Sequence, residues 1–163
     1  MVTKFLIAIA GFVAVMASLV LMPNLNAGKQ DDLSIEYVRQ NLTQIEDGRL
    51  MAASADNLVV KNDLSATYRS LVGAPVEKRF AITNDDMTRL KGLIISTGFI
   101  QVPGTDYPQN DNASKLTKYK LVLTSSDNTK TISWVSVDAS NGPVPSIVRN
   151  IGIRLDAIIE NLN

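Results

Sequence analysis

An uncharged apolar run from Phe5 to Met22 constrains this chain more than any other feature of its sequence. Only Gly11 and Ser18 interrupt it, Lys4 precedes it and Pro23 ends it. As a helix it would rise about 27 Å, close to the hydrocarbon thickness of a bilayer. No polar stripe marks a solvent-facing side, which argues against a helix buried in a soluble core. Two readings remain. A cleaved signal peptide would be cut at a small-x-small motif such as Val15-Met16-Ala17, but that motif lies inside the apolar run. An uncleaved signal-anchor fits the length better. Lys4 and the terminal amine favour an inside N-terminus, so the rest of the chain is expected outside. The expected organisation is a signal-anchor or signal peptide over 1–23, a small, polar linker over 24–32, and one extracytoplasmic domain over 33–163. The domain would be membrane-anchored through residues 5–22, or secreted if the segment is cut.

Charge narrows the partners of that domain. Residues 1–27 hold Lys4 and no acid, so the remainder carries 15 of the 16 basic residues against all 16 acidic ones. A domain this close to neutral has no cationic excess for phosphate backbones, which excludes nucleic acid as the natural partner. A polybasic membrane-surface patch is unsupported for the same reason. The chain has no histidine and no cysteine. Ser-His-Asp and Cys-His catalysis, disulfides, thiolate metal sites and histidine-ligated metals are therefore excluded.

The outward part has about 135 residues, enough for one hydrophobic core. Its beginning is ambiguous. Leu33, Ile35 and Tyr37 alternate like a strand, whereas Ile35, Val38, Leu42 and Ile45 follow a helical spacing. The alternation predicts a strand over 33–39. Residues 49–61 and Ser65–Tyr68, joined by Asn62-Asp63, read as a hairpin. After the breaker Val72-Gly73-Ala74-Pro75, residues 78–83 read as another strand, with Phe80 and Ile82 on one face. A helix should follow, capped by Thr83 with Asp86, favoured by Asp85 and Asp86 at its positive end, striped by Met87, Leu90 and Ile94, and closed by a left-handed Gly98 with Phe99 folding back. Residues 118–125 and 129–137 form a second expected hairpin. Past the breaker Asn141-Gly142-Pro143-Val144-Pro145, residues 146–161 give the best amphipathic helix. Its stripe is Ile147, Val148, Ile151, Leu155, Ile158, Ile159 and Leu162, with Arg149, Arg154 and Glu160 toward water. Gly152 costs a helix interior about 1 kcal/mol relative to Ala, and suggests close approach of a neighbouring backbone. The predicted fold class is α+β: an N-terminal hydrophobic helix, then an antiparallel sheet with a β-meander, a helix, a β-hairpin, and a C-terminal amphipathic helix packed on the sheet.

The remaining signals for chemistry are weak. Asp106, Asn110, Asp111 and Asn112 offer oxygens of the type calcium takes, but the EF-hand glycine and terminal glutamate are missing, and a solvated turn-rich loop is favoured. No metal and no cofactor is expected. The adjacent acids Asp31-Asp32 and Asp85-Asp86 cannot converge as a carboxylate dyad. No local motif places a serine beside a lysine on a known strained turn, and no phosphate-cradling glycine loop occurs. Trp134 and Tyr119 read as sheet-face or core residues. The long polar loop from Gly104 to Ser114 is the one candidate binding element, and Gly104, Thr105, Asp106, Tyr107 and Pro108 are its candidate contacts. Tyr107 either packs back over the sheet edge or is offered to a partner. The sequons Asn41-Leu42-Thr43 and Asn112-Ala113-Ser114 make Asn41 and Asn112 candidate glycosylation sites.

Residues 78–159 resemble a group of membrane-anchored archaeal proteins of unassigned function. The likeness rests on Phe80-Ala81-Ile82-Thr83, Leu90-Lys91-Gly92-Leu93-Ile94, Thr97-Gly98-Phe99, Lys118-Tyr119-Lys120-Leu121, Thr131-Ile132-Ser133-Trp134 and Leu155-Asp156-Ala157-Ile158-Ile159. More distantly, the order of strands, helix ending in Phe, Tyr-bearing strand and closing helix is similar to the emfourin type of small metalloprotease inhibitor. That resemblance implies a protein-binding, inhibitor-like role. It carries over no inhibitory residue, since residues 38–48 lack a glycine-rich first-strand segment. The sequence thus points to a non-enzymatic extracytoplasmic domain that binds another protein or is structural, with an inhibitor-like domain and a histidine-independent hydrolase as alternatives.

Overall fold

The computed structural model describes residues 33–163 apart from Pro103, Asp111, Ser126, Asp127 and Asn163. The expected membrane segment and linker lie outside the described residues. Among the described residues no helix is long and apolar enough to cross a membrane.

Alternating burial builds the sheet. Strand β1 is Ser34–Gln44, β2 Leu50–Lys61, β3 Ser65–Ser70, β4 Val76–Ala81, β5 Lys115–Ser125 and β6 Asn128–Val135. They form one antiparallel sheet in the order β4-β3-β2-β1-β5-β6. The ambiguous segment is a strand to Gln44, five residues past the expected end. Long central pairing settles it, because β1 bonds to β2 on one side and β5 on the other. Val38 and Leu42, which gave the helical spacing, lie half-buried on the face opposite Ile35 and Tyr37. The β1–β2 register shifts between Asn41 and Leu42, where β2 carries the extra residue Ala53, whereas β1 keeps its alternation against β5 and packs Leu42 in a small satellite core with Leu116, Val135 and Ala139.

Two α-helices cover the other face. Helix α1 is Asn84–Lys91, and Thr83 caps it by accepting from the Asp86 N–H at 3.0 Å. The Asp86 carboxylate accepts from the Thr83 hydroxyl rather than reaching the cap's backbone, because aspartate is short. The helix widens into a π-helical turn over Gly92–Ser96 and stops at Gly98, at φ 73°. Helix α2, Ser146–Glu160, buries Val148, Ile151, Leu155, Ile158 and Ile159 against Ile35, Tyr37, Leu58, Leu121, Ile132 and Trp134 of the sheet within one core. Each such side chain contributes about 1.5–3 kcal/mol relative to exposure. Strand β6 ends two residues early, at Val135, and a short 3₁₀ turn takes Val137–Ala139.

Candidate functional site

The buried alternation of β1 and β2 does not end in apolar residues. After Leu33, Ile35 and Tyr37 the same face of β1 continues with Arg39. Before Leu58 and Val60 the same face of β2 begins with Asp56, and Arg39 and Asp56 are cross-strand partners. The guanidinium reaches Asp56 Oδ2 through Nη2 at 2.9 Å and Nε at 3.2 Å, and Asp156 Oδ1 of α2 through Nη1 at 3.2 Å. Two tyrosine hydroxyls complete the cluster: Tyr68 donates to Asp56 Oδ1 at 2.8 Å and Tyr37 to Asp156 Oδ1 at 2.9 Å. The side chains of Arg39, Asp56 and Asp156 are only 17%, 11% and 22% exposed.

One guanidinium therefore faces two carboxylates inside the fold. Glu160 stands 3.8 Å away but is largely in solvent. Burial, helped by the Asp156 charge, pushes the Tyr37 hydroxyl far above the ordinary tyrosine range. Burial also raises Tyr68, which donates to Asp56. Burial pulls against the Arg39 charge, but the hydrogen bond to Asp56 and the Asp156 charge win and hold the proton more tightly. Asp156 is raised, because desolvation outweighs the help from Tyr37 and Arg39. Tyrosines that keep their protons are poor bases and poor nucleophiles near neutral pH. The cluster ties α2 to β1 and β2 and carries no activated nucleophile.

Beside it lies a cavity of about 220 Å³ between α2 and the β5–β6 edge. Tyr119, Trp134, Gly152, Ile153, Asp156 and Arg149 border it. Tyr119 and Trp134 are cross-strand partners whose rings stack at 5.2 Å, with Tyr37 6.2 Å beyond Tyr119. Burial raises the Tyr119 hydroxyl as well. Gly152 admits the Trp134 indole: a Cβ there would stand 2.8 Å from Cζ2. The neighbour that needs this glycine is thus a ring and not the backbone suggested by sequence. A second, shallower groove of about 580 Å³ lies between the π-turn and α2, lined by Arg89, Leu93, Asn150, Ile153 and Arg154. Ile153, 66% exposed, borders both recesses. Arg154 does not simply face water: its Nη2 bonds Asp86 Oδ1 at 2.7 Å, clamping α2 to the first turn of α1.

The candidate loop is laid along β6. Tyr107 N–H donates to Ser133 O, Ser133 N–H to Thr105 O, Asn110 N–H to Ala139 O and Asn141 N–H to Pro108 O. Asp106 bridges Ser133 in parallel and Gln109 bridges Ser140 antiparallel. Tyr107 packs against the main core, and its ring lies over Gly104, at φ 79°. Gly104, Thr105, Asp106 and Pro108 stay exposed. The segment seals the β6 edge, which otherwise presents unpaired backbone groups. Sequon Asn112 is exposed. Asn41 sits mid-sheet, its amide donating to Ser54 Oγ at 2.7 Å and its carbonyl accepting from Thr117 at 2.9 Å, so a glycan there would displace core-side bonds. Among the described residues no three acidic side chains converge as a metal site.

No protein-family model and no curated protein matches this sequence. The cluster itself was missed by sequence reasoning. Its signal was there: oppositely charged Arg39 and Asp56 each extend a buried alternation by one step, where a solvent-facing residue would break it. Asp156 had no such signal, since it lies beside the α2 stripe.

Proposed function

We propose that residues 33–163 form a non-enzymatic recognition domain that binds another protein outside the cytoplasm, held at the membrane by residues 5–22 or released if that segment is cut. The observation that carries the reading is the placement of polar groups. The buried ionisable side chains Arg39, Asp56 and Asp156 are bonded chiefly to one another and to two tyrosine hydroxyls, while the neighbouring recesses combine rings and aliphatic groups with a few polar side chains, Asp156 and Arg149 in one and Arg89, Asn150 and Arg154 in the other. Such a surface recognises; it has no group poised to transfer a proton or attack a carbonyl. Ile153 sits where a partner would touch both recesses, and binding energy concentrates in a few side chains near the centre of such a patch.

The test has two arms. Protease added to intact cells should digest the domain; protection until lysis would overturn the topology. Partners co-purified in non-ionic detergent should be lost from Ile153→Asp and kept by Lys120→Glu on the opposite sheet face. An identical partner set for both variants would overturn the binding surface.

A further inference from the structure

The cavity beside the charge cluster has a chemical preference of its own. Asp156 Oδ1 already accepts from both Tyr37 and Arg39. Oδ2 has no hydrogen bond among the described residues, and it is not one of the buried polar atoms left without a partner. This oxygen therefore meets solvent, and Asp156 borders the cavity. The charge is also unbalanced. Arg39 gives two of its N–H groups to Asp56 and one to Asp156, so one cation serves two carboxylates of low exposure. Arg149 borders the same cavity but is exposed and forms no ion pair with any described residue. An uncompensated carboxylate at a partly desolvated site is relieved by a cation with N–H donors.

The other walls fit the body of such a ligand. The rings of Tyr119 and Trp134 border the cavity, and aromatic surfaces attract ammonium groups and accept their methylene stems. A volume near 220 Å³ exceeds the roughly 150 Å³ of a cavity that holds benzene, and falls short of the about 300–1,000 Å³ of sites for drug-sized ligands. We propose that this cavity is an ammonium site: Asp156 Oδ2 receives the N–H donors, and the Tyr119 and Trp134 rings wall a stem of about four carbons. The ammonium comes either from a small free amine or from a lysine side chain of the bound protein. The inference rests on the recognition-domain reading and adds the group recognised.

Trp134 is the only tryptophan of the chain and stands in the cavity wall, so its fluorescence reports the site directly. The full chain in non-ionic detergent is titrated with n-butylammonium, with Nα-acetyl-lysine methylamide, and with n-butanol and butyrate as neutral and anionic isosteres. The expected result is a saturable Trp134 change for the ammonium probes, at least tenfold weaker for both isosteres and for Asp156→Asn. Equal responses to butylammonium and butanol, or none to either ammonium probe, would overturn the site without any variant. A folded Asp156→Asn that binds ammonium like the parent would overturn it too. Response to both ammonium probes identifies a lysine side chain as an admissible source; response to butylammonium alone identifies the small amine. Failure here with partner loss intact in Ile153→Asp sinks the ammonium site alone. Ammonium binding with unchanged partners sinks the protein-binding surface alone.

Discussion

Replacing Gly152 by alanine sets two physical terms of opposite sign against each other. In an isolated helix the change is favourable, because Ala exceeds Gly by about 1 kcal/mol in a helix interior. In this fold the new methyl carbon would stand 2.8 Å from Trp134 Cζ2 and 3.7 Å from the Tyr37 hydroxyl. Cζ2 belongs to a rigid ring, and the ring has little room: Trp134 is 3% exposed, stacked on Tyr119 at 5.2 Å and tilted against Tyr37 at 6.3 Å. Forcing an extra carbon into such a contact costs about 1–3 kcal/mol. Subtracting the propensity gain leaves a net loss of about 1 kcal/mol for Gly152→Ala. Gly92 is the internal control. It is a right-handed helical glycine at φ −57° whose added Cβ would meet nothing within 4 Å, so Gly92→Ala should stabilise by about 0.5–1 kcal/mol. Urea unfolding followed by Trp134 fluorescence and far-ultraviolet circular dichroism gives both values, with unchanged slope as the two-state check. If Gly152→Ala stabilised as much as Gly92→Ala, the α2–Trp134 contact described above would be wrong.

Two further perturbations address the cluster. Arg39→Met leaves Asp56 and Asp156 without their shared cation and should cost about 3–5 kcal/mol, whereas adding Asp56→Leu should restore part of the loss; a single-variant cost below about 1 kcal/mol in the same denaturation assay would show that the pair is hydrated. Tyr37, Tyr68 and Tyr119 all hold their protons more tightly than free tyrosine. Their stabilisation is thus complete below the unfolded value of about 10 and is lost as pH rises above it. Ionisation of these three tyrosines should accompany the loss of circular dichroism, and Tyr37→Phe should flatten that alkaline slope; ionisation of all three in a still-folded domain would refute the burial.

Much of this fold is written locally. The Met87, Leu90 and Ile94 stripe, the Thr83 cap and the left-handed Gly98 are each set by neighbours within a few residues, and all three stand where the sequence placed them. So does α2, whose apolar residues repeat at the helical period. The strand character of residues 40–44 was not legible, because Leu42 is their single apolar side chain among Gln40, Asn41, Thr43 and Gln44, too little for an alternation, and only pairing with β2 and β5 makes them a strand. The π-turn at Gly92–Ser96 was hidden for a similar reason: a helical stripe reads the same through a change of one residue in the hydrogen-bond spacing.

The sequence by itself determined the absence of histidine and thiolate chemistry, the uncharged N-terminal run, the alternation of strands and helices, and the apolar faces, because composition and short-range periodicity suffice for these. Tertiary structure alone decided that Asp156 meets Arg39 across 117 positions of chain, that Arg154 turns from water to Asp86, that Tyr107 packs back on the core, and that Gly152 yields to a tryptophan ring. Those outcomes depend on which residues of distant segments share one face of the sheet. That juxtaposition is fixed by strand order and register, and no local window of the sequence contains it.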